Sequence, residues 1–141
     1  MLSKVINTRG LILVLLAVCA ATVLVSCGPP PPPSVDAVTM TKDVDSGFKA
    51  TSPTTTFSTS DPKIYASVTV SNLVVGTTLS SKWYFNGTEV PSAASSMTQD
   101  KAGSGYVAFS VSVAGGIPTG NWKVEVYLDG KLANTTPFTV Q

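Results

Sequence analysis

The chain has only two thiols, Cys19 and Cys27, and no histidine. Both cysteines fall within the first 27 residues. From Gly28 on, the side chains that build most metal sites and most nucleophilic triads are therefore missing. An internal disulfide in that part is excluded for the same reason. Carboxylates remain. "DVDSG", Asp43 to Gly47, sets two of them as a calcium loop would begin. Such a loop also needs a third early ligand and a bidentate acid at its end, and "FKATSP" supplies neither. An Asp-rich turn is the better reading. Hydrolysis by paired acids would need two carboxylates across a cleft. Asp61, Asp100 and Glu125 are scattered, and Asp61 and Asp129 sit in turn signals. No catalytic residue, metal ligand or cofactor is assigned, and a small hydrolase is only the third reading.

Cys27 is different. Lys4 and Arg9 precede an uncharged run from Leu11 to Val25. A positive head and an apolar core have the form of a helical export signal. Fifteen residues fall short of the about 20 that span a bilayer. The run ends Leu24-Val25-Ser26-Cys27, which resembles the lipobox of bacterial lipoproteins. That resemblance implies cleavage between Ser26 and Cys27 and a diacylglyceryl group on Cys27, with the new amine often acylated. Cys19 fits less well, because Val18 stands where the pattern wants a small residue; it reads as an apolar filler of the signal core. The alternative for the segment is an uncleaved anchor. Either way the domain lies outside the cytoplasm. Gly28 is not the aspartate that marks inner-membrane retention, which leans toward an outer membrane or outer surface.

Pro29 to Pro33 favour polyproline II and make a stiff spacer of roughly 15 Å. The run reads as a stand-off from a lipid surface, with a proline-rich ligand for a partner as the alternative. The expected organisation is a signal peptide over 1–26, a lipidated cysteine and tether over 27–34, and one domain over 35–141.

Within that domain alternation is the signal. "KIYASVTVSNL" puts Ile64, Ala66, Val68 and Val70 on one face and turns Tyr65, Ser67 and Thr69 outward on the other. "LSSKWYFNG" turns Leu79, Trp83 and Phe85 away from Lys82 and Tyr84. "YVAFSVSV" and "NWKVEVYLDG" alternate likewise, and "KLANTTPFTV" ends on Phe138 and Val140. Asn86-Gly87 and Asp129-Gly130 are two-residue hairpin signals. "SVDAVTMT" supplies a first strand and "SPTTTF" a short edge segment limited by Pro53. About seven short strands in an all-β antiparallel sandwich follow.

"PTGNWKVEV" is similar to the start of strand F in immunoglobulin-like domains. Gly120 matches the glycine of Gly-x-Tyr-x-Cys, Trp122 takes the tyrosine position and Val124 the cysteine position. Val68 would face Val124, and Trp83 resembles the buried tryptophan of strand C. The resemblance implies an immunoglobulin-like sandwich that lacks the intersheet disulfide. The spacing "F…DPKIY…W…G-x-W…YLDG…F" also resembles a stand-alone immunoglobulin-like module of bacterial lipoproteins.

The net charge is +1, so nothing points to nucleic acid. Parity turns all four tyrosines outward, at Tyr65, Tyr84, Tyr106 and Tyr127. They are the candidate partner or glycan contacts. Tyr84 and Tyr127 are expected toward opposite ends of one sheet, and Tyr65 and Tyr106 apart on the other. Asn86-Gly-Thr88 and Asn134-Thr-Thr136 read as chance sequons in a bacterial host. Pro91 to Gly105 reads as a long polar loop, mobile first and functional second. Ile117 in "AGGIPTG" is expected near the surface at one end, and the strand bearing Phe138 could pair with a partner's edge. The expected role is a lipid-anchored binding or structural accessory of the cell envelope with a protein partner; a glycan-binding module or adhesin is the alternative.

Overall fold

The computed structural model describes residues 28–141. The expected signal helix, Ser26 and Cys27 lie outside the described residues. Gly28 to Pro33 carry no regular structure and lead into the first strand. Nine strands follow: β1 (Ser34–Thr41), β2 (Thr56–Phe57), β3 (Ile64–Leu73), β4 (Thr78–Phe85), β5 (Thr88–Glu89), β6 (Ser95–Thr98), β7 (Gly103–Val111), β8 (Gly120–Leu128) and β9 (Lys131–Val140). They form two sheets, one ordered β1-β3-β7 and a larger one ordered β2-β9-β8-β4-β5, with β6 also on β4. The described residues form an all-β sandwich.

The alternating residues meet between the sheets because period-two patterning places every second side chain on one face. Ile64, Ala66, Val68, Leu79, Trp83, Val124 and Val126 have no exposed surface. Phe138 gathers three rings: Phe57 and Trp83 meet it edge-on at 5.5 and 6.0 Å, and Trp122 stacks on it at 6.0 Å. Each such pair adds about 0.5–1.5 kcal/mol beyond the area it buries.

Both hairpin signals act as read. Asn86 and Gly87 have φ of 46° and 85°, and Asp129 and Gly130 have 49° and 77°. Two successive positive φ values match the right-handed twist of the flanking strands. Each turn also locks a neighbour. Asn86 Oδ1 accepts from the Asn121 amide at 3.0 Å, and Asp129 Oδ1 accepts from the Thr78 amide at 2.8 Å.

Four expectations change. The stretch Pro91 to Gly105 is not one loop: a short 3-10 turn at Pro91–Ala93 leads into β6, which pairs with Thr78–Ser81. The sandwich is not purely antiparallel, because β2 runs parallel to β9 at Thr139 and Val140. That pairing covers part of the edge expected to be free beside Phe138. Ile117 is buried, at 1% exposure. An isolated apolar residue in a glycine-rich loop carries no period to reveal its direction. Ser67, expected outward, is also buried. The Asp43–Gly47 turn folds over it, and the Ser67 hydroxyl donates to the Phe48 carbonyl at 2.7 Å.

Candidate functional site

The outer face of the larger sheet carries the densest group of charged and aromatic side chains. It is built by β4 and β8, whose register sets Lys82 opposite Glu125 and Tyr84 opposite Lys123. Glu125 is the centre. Its carboxylate accepts from Lys123 Nζ at 2.6 Å and from the Tyr127 hydroxyl at 2.6 Å. Lys123 also reaches the neighbouring strand, where its Nζ lies over the Tyr84 ring.

Tyr84 and Tyr127 lie toward opposite ends of the larger sheet, as expected. Tyr84 and Tyr127 sit four positions apart in the ladder, as do Tyr65 and Tyr106 on the smaller sheet. That is roughly 13 Å along a strand. On the smaller sheet the offset keeps the rings apart, as expected. On the larger sheet Glu125 lies between them in the ladder: Tyr127 donates to its carboxylate, and Lys123, which bonds the same carboxylate, lies over the Tyr84 ring. Diagonal neighbours across a sheet are within reach of long side chains, and Ser80, opposite Tyr127, leaves room.

Three of the four tyrosine rings are not bare. Lys123 Nζ lies 4.3 Å from the centre of the Tyr84 ring, and Lys82 Nζ lies 5.7 Å from that of Tyr127. Lys63 stands 5.6 Å from the Tyr65 ring. Cations over aromatic faces are attracted by the ring quadrupole, and they occupy surface that a sugar would stack on. Tyr106 carries no such lysine contact and is 38% exposed.

The hydrogen bonds from Lys123 and Tyr127 hold the Glu125 carboxyl below the usual glutamate range. Glu125 in turn pushes the Tyr127 hydroxyl above the usual tyrosine range and raises Lys123. The signs fix where the network helps the fold. Glu125 contributes above the ordinary glutamate value of 4.5, and its contribution is lost as pH falls through its lowered folded value. Tyr127 contributes below 10.0, and its contribution is lost as pH rises through its raised value. A carboxylate ionised and occupied in this way is a poor general acid or base at neutral pH.

Asp45 and Asp61 serve the backbone. Asp45 Oδ1 accepts from the amides of Gly47 and Lys49 at 2.9 and 3.0 Å, closing the "DVDSG" turn. Asp61 accepts from the Ser58 amide at 2.8 Å and pairs with Lys42 at 3.0 Å. Among the described residues no cluster of three or more His, Cys, Asp or Glu side chains could hold a metal ion.

Trp122 performs the role its position implied. Its indole N–H donates to the Pro118 carbonyl at 3.0 Å. In immunoglobulin-like domains a tyrosine hydroxyl makes the corresponding bond back to the upstream backbone. Gly120 is required beside it: a Cβ there would lie 2.7 Å from Phe85 and 2.9 Å from the Asn86 side chain.

The sequence did not single out the end of the sandwich where β1 begins. Ser34 pairs with Ser71 near the end of β3, so the described chain enters the fold beside the turn at Val74–Thr77. Val74 and Val75 in that turn are 53% and 66% exposed. Their signal was a pair of valines next to Gly76, outside the alternation. A notch of about 180 Å³ adjoins them, lined by Leu73, Gln99, Lys101 and Tyr106 among others. The Gln99 side-chain nitrogen is buried without a partner.

No protein-family model matches the chain, and no curated protein is detectably similar to it. Solved structures are. An immunoglobulin-like protein from Pseudomonas aeruginosa superposes with a TM-score of 0.55 at 15% identity, over 81% of this chain and 100% of that one. An alkylpurine DNA glycosylase from Pseudomonas fluorescens, bound to DNA containing an abasic site analog, gives a TM-score of 0.50 at 10% identity. That match covers 77% of this chain but only 30% of the glycosylase. At these identities the likeness speaks to the fold alone, and the fold is immunoglobulin-like.

Proposed function

We propose that the chain is a lipid-anchored, extracytoplasmic, non-catalytic binding or structural accessory of a bacterial cell envelope. The observation that carries this reading is "LVSCGPPPPPS". A cysteine with no thiol partner downstream closes an export-type segment and is followed at once by a stiff spacer. Two or three acyl chains on Cys27 would anchor a small domain firmly, whereas one chain anchors only marginally. The organisation that goes with it is a cleaved segment over 1–26, a tether over 27–34 and the domain from 35 onward. The first strand begins at Ser34, directly after the prolines, which agrees with a short stand-off. The occupied state of Glu125 supports a non-catalytic role.

Replacing Cys27 by serine tests the anchor. The expected result is release of the protein from membranes or accumulation of an unprocessed precursor. A variant that stays in membranes at its mature size overturns lipidation at Cys27.

A glycan-binding surface is the second reading, favoured by one observation: Tyr84 and Tyr127 flank the Glu125 carboxylate on one face of the larger sheet. The lysines over both rings weigh against it. Titration with oligosaccharides, followed by amide spectra of β4 and β8, separates the two; saturable shifts confined to those strands would establish the second reading.

A further inference from the structure

Large apolar residues are not spread evenly over the surface. Six are substantially exposed among the described residues: Phe48, Val74, Val75, Met97, Tyr106 and Leu132. Four of them gather at the end where the chain enters the fold. Val74 and Val75 form the turn after β3. Met97 pairs with Leu79, one residue into β4, and Leu132 is the second residue of β9 after the Asp129-Gly130 turn. The opposite end, with Asn86-Gly87 and Val113 to Gly120, contributes none; Ile117 is buried there and Val113 packs against the core.

Six residues, 28–33, separate Cys27 from Ser34, and five of them are proline. At about 3.1 Å per residue they reach roughly 20 Å. The sandwich is longer than that reach allows for its far end: β3 alone has ten residues, roughly 33 Å of strand. A chain held in a bilayer through Cys27 can therefore bring the Val74–Val75 turn to the lipid, while the far end stays clear of it.

We propose that the Val74–Val75 turn is a lipid-contacting foot that seats this end of the sandwich on the membrane carrying its anchor. The proposal rests on the lipid-anchor reading above. The occupant is the lipid surface, because the covalent tether would hold that surface beside this patch at high effective concentration. The charges at this end are Asp36, Asp100 and Asp129 against Lys101 and Lys131, a formal balance of −1. No cationic cluster is available to attract anionic headgroups. The contact is apolar and independent of lipid charge.

The cysteine-free domain makes the test direct. The full chain bearing Val75→Cys is expressed so that Cys27 is processed, labelled with a bimane thiol reagent, and reconstituted into vesicles containing nitroxide-labelled lipids. A lipidated Cys27 is a thioether and takes no label. The same probe at Lys63→Cys, at the far end, is the reference. The expected result is severalfold stronger quenching at position 75 than at 63, unchanged between neutral and anionic vesicles. Equal quenching at 75 and 63, in a chain whose Cys27 resists labelling, overturns the foot while leaving the anchor intact. Label on Cys27 itself overturns the anchor, and the foot with it. Quenching at 75 that needs anionic lipid overturns the apolar mode of contact.

Discussion

The two ends of this sandwich use the same local device and finish differently. At the far end Asn86 turns the chain with a positive φ and caps the Asn121 amide; at the end where β1 begins Asp129 does the same for Thr78. Around Asn86 the packing is closed. Gly120 is pressed against Phe85 and Asn86, Trp122 bonds to the Pro118 carbonyl, and Ile117 is buried. Around Asp129 it is open. A Cβ on Gly76 would meet nothing within 4 Å, and Val74 and Val75 stand in solvent. A well-made turn therefore does not close the end of a sandwich. Closure depends on what the adjoining loop delivers. "AGGIPTG" delivers an isoleucine inward, whereas "VVGT" leaves its valines outside.

The largest expected effect tests that closure. Gly120→Val should destabilise the domain by about 4 kcal/mol in urea unfolding, because the added side chain collides with Phe85 and with the Asn86 cap. A loss below about 1 kcal/mol would mean the far end is not closed as described. Next comes a contrast between the two tryptophans. Trp122 has a partner for its indole N–H, whereas that of Trp83 is buried without one. Each change to phenylalanine removes ring volume, but only Trp122→Phe also breaks a hydrogen bond. Trp122→Phe should therefore cost about 1–2 kcal/mol more than Trp83→Phe. Equal losses would show that the Pro118 bond contributes nothing. The smallest effect is expected at the open end. Val74→Ser and Val75→Ser should each change stability by less than about 0.5 kcal/mol, since both side chains are already more than half exposed. A larger loss would place these valines in the core and remove the contrast between the ends.

Much of the fold was legible residue by residue. Ile64, Ala66, Val68 and Val70 alternate with polar partners because one face of β3 is buried, and all four are buried. The hairpins at Asn86-Gly87 and Asp129-Gly130 were legible because positive φ is a local demand that few residue pairs meet. The strand β6 was not. "SSMT" has no apolar alternation, and all four of its residues remain exposed, so pairing with β4 is its main sign of order.

The candidate site divides along the same line. Parity placed Tyr84 and Tyr127 outward and Trp122 inward, since a two-residue period needs no knowledge of neighbours. Sequence also showed Cys27 as the last thiol of the chain, with a run of prolines behind it. Only the tertiary structure decided that Lys123, bonded to Glu125, also covers the Tyr84 ring, because that depends on which strands adjoin. Only the tertiary structure decided that Ile117 is covered and Val75 is not, since loop burial is set by what lies across the gap. And it alone put Ser34 beside Ser71, so that the chain enters the domain at the end bearing its exposed valines. The periodicity of a strand is written in its own residues; the company that strand keeps is set by pairing between segments far apart in the chain.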